Sequence, residues 1–226
     1  MITLNNVSVS NGSCASTSSV TPTTGAALTV APTATYTPPS PTAANYVFST
    51  SNGTYTPISG GTFLSAIGAV NDDNAYTNVP IGFTFNYLGT NYTSIANVAA
   101  NGYISFGGAW SPYYYNGVSI QSQVLGIHPF SEDLYGTAAT CEIEYKVLGS
   151  APNRTFVLQW KDWGFYSTGG SEVNFQLRLN ETSNTIQVVY APGSLTASSQ
   201  TCQVGITGAT TADFNSRTNT TSWATT

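Results

Sequence analysis

The sequence predicts an all-β protein: an antiparallel β-sandwich, jelly-roll-like, preceded by an extended N-terminal arm. Three observations carry that prediction. From Tyr46 to Thr207 the chain is a succession of short segments that alternate in polarity or are rich in β-branched and aromatic residues, separated by Gly- and Asn-containing turns. No stretch sustains the 3.6-residue apolar period of an amphipathic helix. Residues 20–44 consist largely of Thr, Pro, Ala and Ser and end in Pro38, Pro39 and Pro41. Proline lacks a backbone donor and fixes φ, so this stretch favours extended geometry and is barred from a central strand.

The elements follow in order. Residues 1–19 alternate weakly through Ile2, Leu4, Val7 and Val9 and predict one or two short strands. With residues 20–44 they make an uncharged arm, 1–44, that either docks as a strand or serves as a linker. The domain proper is read as 45–226. Its predicted strands are Tyr46–Ser49, Thr54–Ile58, Gly82–Tyr87, Tyr92–Val98, Gly102–Phe106, Val124–Phe130, Thr140–Leu148, Arg154–Trp160, Glu172–Asn180, Thr185–Tyr190 and Cys202–Thr207. Turn signals stand at Asn52-Gly53, Leu88-Gly89, Asn101-Gly102, Gly169-Gly170 and Ser183-Asn184. The clearest single strand alternates Val173, Phe175, Leu177, Leu179 with Asn174, Gln176, Arg178, Asn180, which predicts one buried face and one wet face.

Charge bounds the function. The first charged residue is Asp72, and only 7% of the 226 residues are charged, against roughly a quarter in an ordinary domain. A cytosolic surface stays soluble through mixed charge; this one relies on hydroxyls and amides, with the Thr/Ser arm a natural carrier of sugars. That reading places the protein outside the cell, secreted and displayed at a surface. The five basic residues are scattered over a chain of net charge −5, which excludes nucleic acid as a partner. No apolar run approaches the ~20 residues of a membrane span, so no membrane insertion is expected.

The segments IGFTFNYLGTNYTSI (81–95), ANGYISFG (100–107), VLGIHPFSEDLYG (124–136), IEYKVLGSAPNRTFVLQW (143–160) and VNFQLRLNETSNTIQVVY (173–190) form a recognisable pattern. It resembles a β-sandwich domain of secreted surface proteins of Bacteroidetes-type bacteria and is distantly similar to the nidogen-like extracellular domain. The likeness covers about residues 46–210 and rests on fold-determining positions. It implies a sandwich architecture and an adhesion, matrix or surface role, and names no catalytic residue.

Several residues stand out as candidate sites. Trp110, Tyr113, Tyr114 and Tyr115 share one loop and Trp163 stands in another; flat aromatic faces suit stacking on sugar rings or anchoring an interface. Asp72, Asp73 and Asp133 are loop carboxylates of the kind that bind Ca2+, although no calcium-loop spacing is present. No other cofactor is expected. Cys141 and Cys202 both open strand-like runs and are read as one disulfide, with Cys14 left over. His128, the one histidine, is read as structural, with a hydrogen-bonded ring. No GxSxG elbow occurs, and the chain is not expected to be an enzyme. The expectation is an extracellular structural protein, a subunit of a surface filament or array whose partners are other copies of itself. The arm would insert Ile2, Leu4, Val7 and Val9, or Leu28 and Val30, into a neighbour. The alternative is a carbohydrate-binding adhesion module using the Trp/Tyr loop.

Overall fold

The computed structural model describes residues 8–11, 14–17, 41–113, 123–137, 139–166, 173–191 and 202–217. The chain divides into two units, Met1–Pro39 and Ser40–Thr226. The division falls five residues before the Asn45 boundary read from composition, because residues 41–44 belong with the larger unit. In the first unit β1 (Ser8–Asn11) and β2 (Cys14–Thr17) pair antiparallel, with Ser8 opposite Thr17 and Asn11 opposite Cys14.

The second unit is the expected all-β sandwich. Its first sheet runs in the order β12 (Ile186–Tyr190), β11 (Val173–Asn180), β10 (Thr155–Phe165), β9 (Glu142–Leu148), β3 (Thr62–Ser65), and the short β8 (Leu134–Tyr135) joins the far end of β10. The second runs β14 (Phe214–Arg217), β13 (Gln203–Thr207), β7 (Gly126–Ser131), β6 (Tyr103–Ser105), β5 (Thr90–Ala99), β4 (Ala75–Tyr87). All neighbouring strands are antiparallel. No α-helix occurs among the described residues; one 3-10 turn spans Ala43–Asn45.

Alternation builds the core. In β4 the side chains of Val79, Ile81, Phe83, Phe85 and Tyr87 are buried, and those of the residues between them are mostly exposed. They face Phe156, Leu158 and Trp160 of β10 and Phe175, Leu177 and Leu179 of β11 in one cluster. Trp160 stacks on Phe175 at 4.9 Å between centroids, and its indole N–H donates to the Ala99 carbonyl of the opposite sheet at 3.3 Å. That bond satisfies the one polar group of the largest core side chain. β4 and β5 are joined at Leu88-Gly89, both at positive φ, as a tight hairpin turn requires.

Two predicted strands are corrected. Tyr46–Ser49 and Thr54–Ile58 enter no sheet; they belong to an extended strap that crosses the sandwich. Residues 56 and 58 make their main-chain hydrogen bonds to side chains and not to a neighbouring strand. Conversely, β3 and β14 were not foreseen, and β10 continues past Trp160 to Phe165.

Candidate functional site

The outward face of β9–β11 ought to be wet. It holds instead a buried polar row. Glu144, Gln159 and Gln176 stand opposite one another in register across three strands, with exposures of 1%, 0% and 0%. Residues 55–61 cover them. The Gln159 carboxamide grips the Ile58 peptide unit at both ends: its Oε1 accepts the Ile58 N–H at 3.0 Å, and its Nε2 donates to the Ile58 carbonyl at 3.5 Å. Gln176 Nε2 donates to the Thr56 carbonyl at 2.8 Å and to Gln159 Oε1 at 2.8 Å. The Gly61 N–H donates to Glu144 Oε1, and Lys146 Nζ donates to the Ser59 carbonyl at 2.7 Å. A carboxamide carries donor and acceptor at one tip, which matches a peptide group. The Tyr55 hydroxyl adds a bond to Gln159 Oε1 at 3.2 Å, and burial, ahead of nearby carboxylates, pushes its pKa up. In the sequence Gln159 and Gln176 look like ordinary solvent-facing positions; what covers them lies a hundred residues away.

The other end of the strap is held by the edge of the second sheet. The Ala43 and Ala44 N–H groups donate to the two Asp213 carboxylate oxygens at 3.2 and 3.4 Å, and Asn215 Nδ2 donates to the Tyr46 carbonyl at 2.8 Å. The Arg217 guanidinium lies 3.9 Å over the Phe48 ring, a cation–π contact. Between the two anchors residues 47–54 are exposed, Val47 at 95%.

Trp110 is half-buried and Tyr113 is 59% exposed, whereas Tyr114 and Tyr115 lie outside the described residues. The loop is fixed from beneath: the Tyr103 hydroxyl lies 2.7 Å from the Ser111 carbonyl and 2.8 Å from that of Tyr113, Asn101 Nδ2 donates to Pro112 at 3.0 Å, and Gln123 Nε2 donates to Ser111 at 3.0 Å. Trp163 is no ligand candidate. It is fully buried in β10 and donates its indole N–H to the Glu142 carbonyl at 3.0 Å. A bulge between Trp160 and Trp163, with Asp162 at φ 57°, turns both indoles inward.

The loop carboxylates do approach one another. Burial, then Asp72 and Asp73, raises the Asp133 pKa; burial, then Asp73, raises that of Asp72. Yet no group of three or more His, Cys, Asp or Glu among the described residues could hold a metal ion. Asp73 Oδ1 instead accepts from Asn101 Nδ2 at 2.8 Å, and Asn101 Oδ1 accepts the Leu134 N–H at 2.8 Å, tying the two loops together.

The expected Cys141–Cys202 disulfide is not formed. Cys141 is a buried thiol bonded to the Ala69 carbonyl at 3.3 Å, beside β9. Cys202 is buried next to β13 of the second sheet and interacts with Tyr190 of β12, whereas Cys141 immediately precedes β9 of the first sheet. Cys14 begins β2. Of the arm residues, Val9 lies in β1 opposite Ser16, and Ile2, Leu4, Val7, Leu28 and Val30 lie outside the described residues. His128 is structural but its ring is not hydrogen-bonded. It is fully buried, stacks on Tyr103 at 5.4 Å, and neither ring nitrogen has a partner; burial pushes its pKa down to about 3.

Comparison with curated proteins and with solved structures gives no match. A family model described as NIDO related matches residues 45–226, which takes in every strand of the sandwich. By that match, covering well over half its length, the chain belongs to the nidogen-related family.

Proposed function

We propose that this chain is an extracellular structural protein, not an enzyme: a subunit of a cell-surface filament or array that assembles through its N-terminal arm. The observation that carries the reading is the arm itself. Seventy-one residues without a charge precede Asp72, and among the described residues there β1 and β2 form a two-stranded sheet. An isolated two-stranded hairpin is marginal in water and gains most by adding to another sheet. A strand added between copies in a head-to-tail sense need not close, and so builds a fibre. Nidogen-related domains are of extracellular type, which supports display outside the cell. No helix among the described residues is long and apolar enough to cross a membrane.

A second reading rests on Tyr113, whose ring is exposed beside half-buried Trp110. It makes the loop a sugar-stacking surface, and such a module would bind glycan as a monomer. Negative-stain microscopy of the full chain beside one starting at Asn45 separates the two. Fibres from the first and monomers from the second are expected. Monomers from both, with glycan retained on an array and lost in Tyr113→Ala, would replace the filament reading by the adhesive one.

A further inference from the structure

We infer that Asn52 is a site of spontaneous covalent modification: the main-chain nitrogen of Gly53 attacks its carboxamide, ammonia is lost, and the strap acquires an aspartyl or isoaspartyl residue. The site lies within residues 47–54, the exposed span between the two anchors of the strap. In the sequence Asn52-Gly53 reads as a turn, but no turn forms there. Both residues are exposed, and neither makes a hydrogen bond among the described residues. Asparagine is a chemically labile side chain, and here its carboxamide and the following N–H are both free to meet. Nothing lies within 4 Å of the position a Gly53 Cβ would occupy, so the approach is unhindered. Glycine also lets the main chain take up the conformations that closure of a five-membered ring demands.

The reaction balances with water alone. The Gly53 nitrogen forms a bond to Asn52 Cγ and gives up its proton to solvent; the Cγ–Nδ2 bond breaks and ammonia departs. Water then opens the cyclic imide. Opening at one carbonyl gives aspartate; opening at the other routes the main chain through Cγ and gives isoaspartate, one carbon longer. Either product places a carboxylate in a span that has none, ahead of Asp72 as the first charge of the chain. The anchoring bonds fall on residues 43–46 and 55–61, so both ends of the strap stay in place. The site is independent of whether the arm assembles.

The fold, and not the dipeptide, selects Asn52. Of the other Asn-Gly pairs, Asn101-Gly102 is the one wholly within the described residues. Asn101 is fully buried; its Nδ2 donates to Asp73 Oδ1 at 2.8 Å and to the Pro112 carbonyl at 3.0 Å, and its Oδ1 accepts the Leu134 N–H at 2.8 Å. The Gly102 N–H donates to the Ala99 carbonyl at 3.2 Å. Electrophile and nucleophile are each held in place, and the folded pair is inert.

Peptide mapping by mass spectrometry tests this on the full chain aged in mildly alkaline buffer, with fragmentation that tells isoaspartate from aspartate. A gain of one mass unit should grow with time on the peptide holding Asn52, in both isomers, while the Asn101 peptide changes only once denaturant is added. Gly53→Leu, whose branched side chain walls off the attacking nitrogen, should abolish the gain; position 53 is exposed and without neighbours, so the melting temperature should not move. Asn52 left intact in the folded chain while it reacts in denaturant overturns the inference. So does a gain that persists in Gly53→Leu, or a folded Asn101 that reacts as fast as Asn52.

Discussion

His128 sets the acid limit of the sandwich. An ordinary histidine takes up a proton near pH 6.5; this one, buried against Tyr103 with both nitrogens unpartnered, does so only near 3. Between those values the unfolded chain binds a proton that the folded chain refuses. Stability is therefore complete above the unfolded pKa and falls as the pH drops toward the folded one, at about 1.4 kcal/mol per unit and up to about 5 kcal/mol in all. The Asp72 and Asp133 carboxyls, whose pKa values are raised, work in the opposite sense: their charge weakens the fold above the ordinary carboxyl range, and acidification relieves it. Comparing chains that differ only at position 128 cancels that background. His128→Leu should melt at nearly the same temperature at pH 7 and 4.5, whereas the native chain drops steeply; parallel curves would refute the assignment. The sequence supplied His128 as a single buried candidate. It offered nothing about the missing partners, because satisfaction of a buried ring depends on strands that meet only in the fold.

Among the elements, the β5–β6 turn is the most constrained. Gly102 sits at φ 77°, and a Cβ there would lie 2.2 Å from the Phe130 carbonyl oxygen of β7, a main-chain atom that cannot swing aside. Gly102→Ala therefore combines left-handed strain of about 1 kcal/mol with overpacking of a further 1–3 kcal/mol. A loss of about 2–4 kcal/mol in denaturant unfolding is expected, and a loss below 0.5 kcal/mol would contradict the geometry. Local pattern made such elements readable: Asn101-Gly102 announces the turn, and the β11–β12 hairpin is legible because its alternation and its turn are contiguous in sequence. β3 and β14 were missed because Thr62–Ser65 and Phe214–Arg217 are four residues each, too short to show a period. The strap was misread as two strands because its composition is strand-like, and extended backbone with β-branched residues looks the same whether its amides meet a strand or a glutamine. Trp163 was misplaced because the predicted strand ends at Trp160, whereas β10 continues through a bulge there to Phe165.

At the scale of the whole molecule, the succession of alternating segments and turns foretold the all-β sandwich, while the polar row that grips the strap was out of reach. That row also determines how the protein meets a pull. A chain pulled from its N-terminus takes tension through residues 41–61, which are clasped by individual side-chain bonds at Asp213, Asn215, Gln159, Gln176 and Glu144. These release one after another, whereas the strands behind them are bonded along their whole length. Paying out 21 residues adds roughly 70 Å of contour before any strand is disturbed. Pulled from residue 1 and from the C-terminus in a single-molecule trace, the chain should lengthen by that increment at low force ahead of the main rupture; one rupture without a precursor would show the clasp and the sandwich to be mechanically one. In a chain fixed in moving fluid, such slack acts as a shock absorber, letting the tether give and re-seat while the folded body stays intact.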